Sequence, residues 1–275
     1  MYKNVPTKFI KVAGTRFAYR DLGPHGGIPI VLLNHWGAVL DNFDPAIIDA
    51  LAQSHRVIAL DYRGIGSSDG NAPLTVGEMA DDIIALIRAL DFNKVDLFGF
   101  SLGGFTAQDV TLKAPELIRK LILTGTGPAG GKGINRVGPV SWPLIIKALI
   151  TFREPQYYLF FTSSQNSRRA AKEFLARLKE RKTNRDKGAT PRAFLRQLKA
   201  ITAWGNHVPQ DLGKIAVPAL VANGDHDIMV PTENSVDLAK RIPGAELVIY
   251  KDAGHGGIFQ YHEEFVKTVL AFLAK

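Results

Sequence analysis

The sequence predicts an α/β protein with a mostly parallel central sheet, helices on both faces and an inserted helical segment. Three observations carry this expectation. Short apolar runs such as Ile30–Asn34 and Arg56–Asp61 have the continuous hydrophobicity of strands buried on both faces. Amphipathic helical patterns alternate with those runs, as βα units require. The alternation then stops between Ala129 and Ala216, where helical patterns follow one another without a strand.

The elements follow in chain order. Phe9–Val12 and Arg16–Arg20 flank Ala13-Gly14-Thr15 and read as a hairpin. Ile30–Asn34 and Arg56–Asp61 are strands, with a helix over Pro45–Ala52 between them. Thr75-Val-Gly-Glu78 has capping-box spacing and opens a helix, in which Met79, Ile83, Leu86, Ile87 and Leu90 recur at helical spacing. Lys94–Gly99 is a strand, Leu102–Lys113 a helix and Lys120–Thr124 a strand. Inside the insertion, one helix holds Phe174, Leu175 and Leu178, and another starts near Thr190-Pro191 and holds Phe194, Leu195 and Leu198. Strand signal returns at Pro218–Gly224. A helix from Thr232, a strand at Glu246–Lys251 and a final helix from Tyr261 to Leu273 complete the chain. Residues 1–128 and 217–275 are therefore expected to form one core domain, and 129–216 a helical insertion.

Composition narrows the function classes. The chain has 275 residues, 46% hydrophobic and 22% charged, which suits one globular α/β domain. Cysteine is absent, which excludes disulfides, zinc–thiolate sites, iron–sulfur clusters and a cysteine nucleophile. No apolar run approaches the roughly 18 residues of a membrane helix. The start lacks a secretory signal pattern, so a cytoplasmic protein is the default expectation. The net charge of +8 raises the question of an acidic partner. Residues 129–216 alone hold seventeen basic and five acidic residues, net +12, and the rest of the chain is net −4. Much of that excess lies between Arg168 and Lys199, where a solvated polar helix face is the first reading. Steering of anionic substrates is the rival. No nucleic-acid motif accompanies the charge, so no nucleic-acid partner is expected.

Chemistry concentrates in three loops, each after a strand. Gly99-Phe100-Ser101-Leu102-Gly103 has the G-x-S-x-G spacing of a strand–turn–helix elbow. Glycines are needed there because the turn is tight and neighbouring elements approach closely. A serine hydroxyl is a weak nucleophile without a base, and the base needs an orienting acid. Asp227 follows the strand PALVANG, and His255 follows the next strand. Asp225 is a rival acid, placed nearer the strand as a turn carboxylate. His226 and His262 are rival bases. His226 points away if Asp227 points in, and His262 falls in the last helix. His25, His55 and His207 read as loop or surface residues. An oxyanion hole needs two N–H donors. The Leu102 amide, just after the serine, is one. The other is placed on Trp36, in the loop Asn34-His35-Trp36-Gly37. His35 either holds this loop by hydrogen bonds or reaches the pocket itself.

These residues resemble the α/β-hydrolase family, and within it the cofactor-free haloperoxidase and esterase branch. The resemblance rests on Gly99-Phe-Ser101-Leu-Gly103-Gly104, Asp61-Tyr-Arg63-Gly64-Ile-Gly66-Ser-Ser68, Gly224-Asp-His-Asp227-Ile-Met-Val-Pro231 and Gly254-His255-Gly256. It runs from about Phe9 to the C-terminus, apart from the insertion. It implies the α/β-hydrolase fold with a helical cap, Ser101 as nucleophile, His255 as base, Asp227 as acid, and Trp36 with Leu102 as oxyanion donors. It implies no cofactor and no metal. The family usually has His-Gly-aromatic where this chain reads Asn34-His35-Trp36. Relatives with an aspartate nucleophile, the haloalkane dehalogenases and epoxide hydrolases, do not match Ser101.

The expected reaction is hydrolysis of a small or medium, largely apolar ester or lactone through an acyl-enzyme. C–C bond hydrolysis and perhydrolysis or halide oxidation use the same three residues and stay open. A ligand receptor on a hydrolase scaffold is the alternative from another class. Trp142, Phe152, Tyr158 and Phe161 of the insertion, with His35, are the expected lining of the substrate pocket. The competing reading makes such aromatics the insertion's own core.

Overall fold

Why the strands stack as they do follows from their side chains. In a computed structural model describing residues 1–275, eight strands form one sheet in the order β1-β2-β4-β3-β5-β6-β7-β8. The central strands β3 (Ile30–Leu33), β4 (Val57–Leu60), β5 (Val95–Phe100) and β7 (Ala219–Gly224) are buried along their whole length. Such strands need helices on both faces, and all pair in parallel with their neighbours apart from the β2–β4 contact. β1 (Lys8–Val12) and β2 (Thr15–Leu22) form the expected antiparallel hairpin at one edge. Their alternating exposure marks a half-covered surface. β6 (Ile118–Thr124) and the partly exposed edge strand β8 (Glu246–Tyr250) complete the sheet.

The helices match the predicted periods. They are α1 (Pro45–Leu51), α2 (Val76–Ala89), α3 (Leu102–Lys113), α8 (Glu233–Arg241) and α10 (His262–Ala274). Thr75 caps α2 by accepting from the Glu78 amide at 3.1 Å. The Glu78 carboxylate reaches one residue further back than a capping box does, to the Leu74 amide. Between β6 and β7 lie α4 (Val137–Ile150), α5 (Gln156–Leu159), α6 (Gln165–Arg177) and α7 (Pro191–Gly205), with no strand. The short α9 (Gly257–Gln260) has no sequence signal, because four residues are too few to show a period. No helix is long and apolar enough to cross a membrane.

The reading of a solvated face holds for Arg169, Lys172, Lys179, Lys182, Arg185, Lys187, Arg192 and Lys199, which are exposed, and is corrected at Arg177 and Arg181. Arg177 grips the buried Asp44 with two hydrogen bonds at 2.8 and 2.7 Å. Arg181 is buried, donates to the Lys3 and Val5 carbonyls, and lies 3.6 Å from Asp41. Asp186 pairs with the buried Arg20, which also holds Asp41. These cations therefore bolt the inserted helices to the core. A guanidinium suits this because it satisfies several buried acceptors at once. Removing one partner leaves a buried charge uncompensated. Arg177→Ala should thus cost about 3 kcal/mol of stability, read as a lower urea midpoint at unchanged slope.

Candidate active site

β5 ends in a turn that only this sequence pattern permits. Ser101 sits at φ +57° and ψ −118°, a backbone conformation that a non-glycine residue holds only when its surroundings impose it. Here its N–H donates to the Thr124 carbonyl at 2.9 Å, and its carbonyl accepts from the Thr126 hydroxyl at 2.9 Å. A Cβ on Gly99 would overlap the Gly103 carbonyl, and one on Gly103 would overlap the Leu33 carbonyl. The glycines let α3 start directly behind the serine and against β3. Ser101 is 5% exposed and stands at the N-terminus of α3, whose first amides are free of helix partners.

Asp227 and His255 follow β7 and β8. The Asp227 Oδ1 accepts from the Met229 and Val230 amides at 2.8 and 2.9 Å. Its Oδ2 lies 2.7 Å from His255 Nδ1, with both side chains fully buried. A carboxylate only accepts, so Nδ1 carries the proton and Nε2 presents a lone pair. Nε2 is buried and has no protein partner. Ser101 and His255 line one cavity of about 200 Å³. The rivals fall away from it. Asp225 accepts from the Ala253 amide and holds the exposed His226 at 2.6 Å, so both tie the loop together. His262 opens α10. Asp61, from the second motif, accepts from the Leu40 and Ser67 amides and braces two loops, with burial pushing its carboxyl well up.

The loop after β3 brings Trp36 and His35 to the same cavity. The Asn34 carboxamide organises it, accepting from the His35 amide at 2.9 Å and donating to the Val39 carbonyl at 3.3 Å. The Trp36 N–H makes no backbone hydrogen bond. His35 does both things expected of it. Its Nδ1 lies 2.9 Å from the Trp36 carbonyl and therefore donates, while Nε2 is buried without a partner. Burial pulls its pKa down to about 4, against the Trp36 carbonyl and with a small contribution from His255, so the ring is neutral near pH 7.

Two residues that sequence reasoning missed hold this loop. The Gln197 Oε1 accepts from the Gly37 amide at 2.8 Å. The Phe194 carbonyl accepts from Trp36 Nε1 at 2.8 Å, and its ring stacks on the indole at 4.1 Å. Both belong to α7. Gln197 was hidden because a polar residue on an amphipathic helix gives no sign of its partner. Replacing it by Leu takes the acceptor from the half-buried Gly37 N–H, at about 1 kcal/mol. Gln197→Leu is expected to lower catalytic turnover about tenfold through the displaced loop, with a parallel fall in melting temperature.

The expected lining by insertion aromatics is corrected at four positions. Phe152 follows α4 at φ +54° and is 98% exposed. Trp142 is 39% exposed, with its ring edge-on to Phe194. The Tyr158 ring lies under Lys147 and its hydroxyl meets Thr151. Phe161 packs on Phe174. The wall facing Ser101 is instead built from Ile145, Leu159, Phe160 and Phe194. Aromatic content alone does not say which side of a short helix faces inward. Phe160 also anchors the His255 loop, its carbonyl accepting from the Gly256 amide at 2.8 Å. No group of three or more His, Asp or Glu side chains is arranged to hold a metal ion.

This geometry coincides with the comparisons to known proteins. The family described as alpha/beta hydrolase fold matches residues 28–260, and the chain belongs to that family. An alpha/beta hydrolase fold protein from Chitinophaga pinensis is 38% identical, with a TM-score of 0.93 over 99% of this chain and 98% of that one. A 2-hydroxy-6-oxononadienedioate/2-hydroxy-6-oxononatrienedioate hydrolase of Klebsiella pneumoniae is 31% identical over 87% of this chain and 82% of its own length. A putative carbamate hydrolase, RutD, of Rhizobium rhizogenes is 30% identical over 82% of this chain and 85% of its own length.

Proposed function

We propose that this hydrolase-family chain cleaves a small carboxylic ester or lactone by acyl transfer through Ser101. The observation that carries the reading is the unpartnered Nε2 of His255, a residue backed by Asp227 that lines one cavity with the elbow serine. In this mechanism Ser101 Oγ attacks the carbonyl carbon while His255 Nε2 takes its proton. The carbonyl oxygen, now negative, accepts from the Trp36 and Leu102 amides. The tetrahedral species collapses, and His255 returns the proton to the departing alcohol. Water then repeats the sequence on the acyl-enzyme and frees the acid and Ser101. Asp227 holds the imidazole in the required tautomer and balances its charge when protonated.

Residues 129–216 act as a cap in this reading. They supply the apolar wall over Ser101 and tether both the oxyanion loop and the His255 loop. The cavity, at about 200 Å³, lies below the usual range of ligand pockets, which supports a short acyl group. A panel of p-nitrophenyl esters tests the reading. Turnover is expected to be greatest for the shortest chains and to fall with length. Ligand-induced thermal shifts without steady-state turnover would favour a receptor instead. C–C bond hydrolysis is the second reading, supported by the Klebsiella relative at 31% identity. A 2-hydroxy-6-oxo dienoate turned over faster than every ester would establish it.

A further inference from the structure

Two buried acceptor atoms on residues that line the cavity have no protein donor, and acyl transfer uses neither. His35 Nε2 comes from the loop after β3, and Gln156 Oε1 from the start of α5. His35 is 6% exposed, and its tautomer is set by the Trp36 carbonyl, which can only accept from Nδ1. The ring stands close to the reacting groups. Phe100 and Phe160 pack edge-on to His35 at centroid distances of 5.6 and 5.1 Å, and the same two rings flank His255 at 5.0 and 5.4 Å. A buried acceptor that stays unpaired loses its hydration without compensation, so a ligand that brings a donor gains relative to one that does not.

Resting on the acyl-transfer reading, we propose that His35 Nε2 is a subsite for a hydrogen-bond donor on the carbon next to the scissile carbonyl. The preferred substrates are then 2-hydroxy or 2-amido acyl esters and lactones rather than plain alkanoyl ones. Burial holds the imidazole neutral, so this acceptor persists at neutral pH.

Ethyl 2-hydroxybutyrate and ethyl butyrate, assayed by proton release, test the subsite. The readout is the ratio of their kcat/KM values, in which the fraction of active protein cancels. The wild type is expected to favour the hydroxy ester about tenfold beyond their difference in alkaline hydrolysis, the effect of one hydrogen bond. His35→Phe keeps an aromatic ring in the Phe100–Phe160 cage and should erase that excess. His35→Gln, which carries an acceptor at similar reach, should restore part of it. An unchanged ratio in His35→Phe, or an equal loss on both esters, overturns the proposal and leaves His35 a loop residue. The acyl-transfer reading fails separately, if the wild type hydrolyses neither ester. Binding then decides the subsite: the hydroxy ester should raise the melting temperature of Ser101→Ala more than the plain ester does. Equal shifts, or a difference that survives His35→Phe, reject the subsite.

Discussion

Ser101→Ala is expected to lower ester turnover by about 10⁴-fold or more while the fold survives. Only one oxygen is removed. The backbone bonds that impose the elbow, Ser101 N–H to the Thr124 carbonyl and Thr126 hydroxyl to the Ser101 carbonyl, remain in place. So do the glycine contacts that seat α3 against β3. The melting temperature should therefore stay at or slightly above that of the wild type, since backbone strain at a catalytic residue is kept for activity rather than stability. Residual turnover would come from water attacking a carbonyl still held by the Trp36 and Leu102 amides. Steady-state rates on p-nitrophenyl acetate and thermal unfolding of the same preparations check both halves. Wild-type turnover in the variant would remove Ser101 from the mechanism.

Asp227→Asn is expected to reduce kcat by roughly 10⁴-fold through the wrong tautomer of His255. The Asp227 Oδ1 is committed to two backbone donors, the Met229 and Val230 amides. In the variant the carbonyl oxygen of Asn must keep those bonds, because its NH₂ cannot accept them. That leaves the NH₂ facing His255 Nδ1, 2.7 Å away in the native pair. Nδ1 must then accept, and the imidazole proton moves to Nε2. A protonated Nε2 cannot take the serine proton. The loss should sit in kcat with KM nearly unchanged, because Asp227 touches no substrate. It should also ease at high pH, where hydroxide substitutes for the missing base. A large rise in KM would instead point to a collapsed cavity.

The central strands are legible in sequence because burial on both faces leaves no polar position, as in Ile30–Leu33 and Val57–Leu60. The chemistry is legible because three motifs in fixed order each follow a strand, and strand ends converge at one edge of a parallel sheet. What depends on tertiary packing is not. Phe152 and Phe160 are both aromatics of the segment between β6 and β7, yet one is almost fully exposed and the other packs beside His255. Arg177 and Arg181 read as solvated charges, because their partners Asp44 and Asp41 lie well over a hundred residues away. The exchange of Gly for His35 in the loop after β3 is visible as a departure from the family pattern. Its meaning emerges only when the imidazole is found with one nitrogen bonded and the other unpaired.

Labelling by a fluorophosphonate, followed by peptide mass spectrometry, tests the central claim most directly. The reagent phosphonylates a serine, with loss of fluoride, only where a base activates the hydroxyl and donors hold the phosphonyl oxygen. Stoichiometric modification of Ser101 is expected, slowed in Asp227→Asn and absent in Ser101→Ala. Modification of a different serine, or labelling undiminished in Ser101→Ala, would contradict the account.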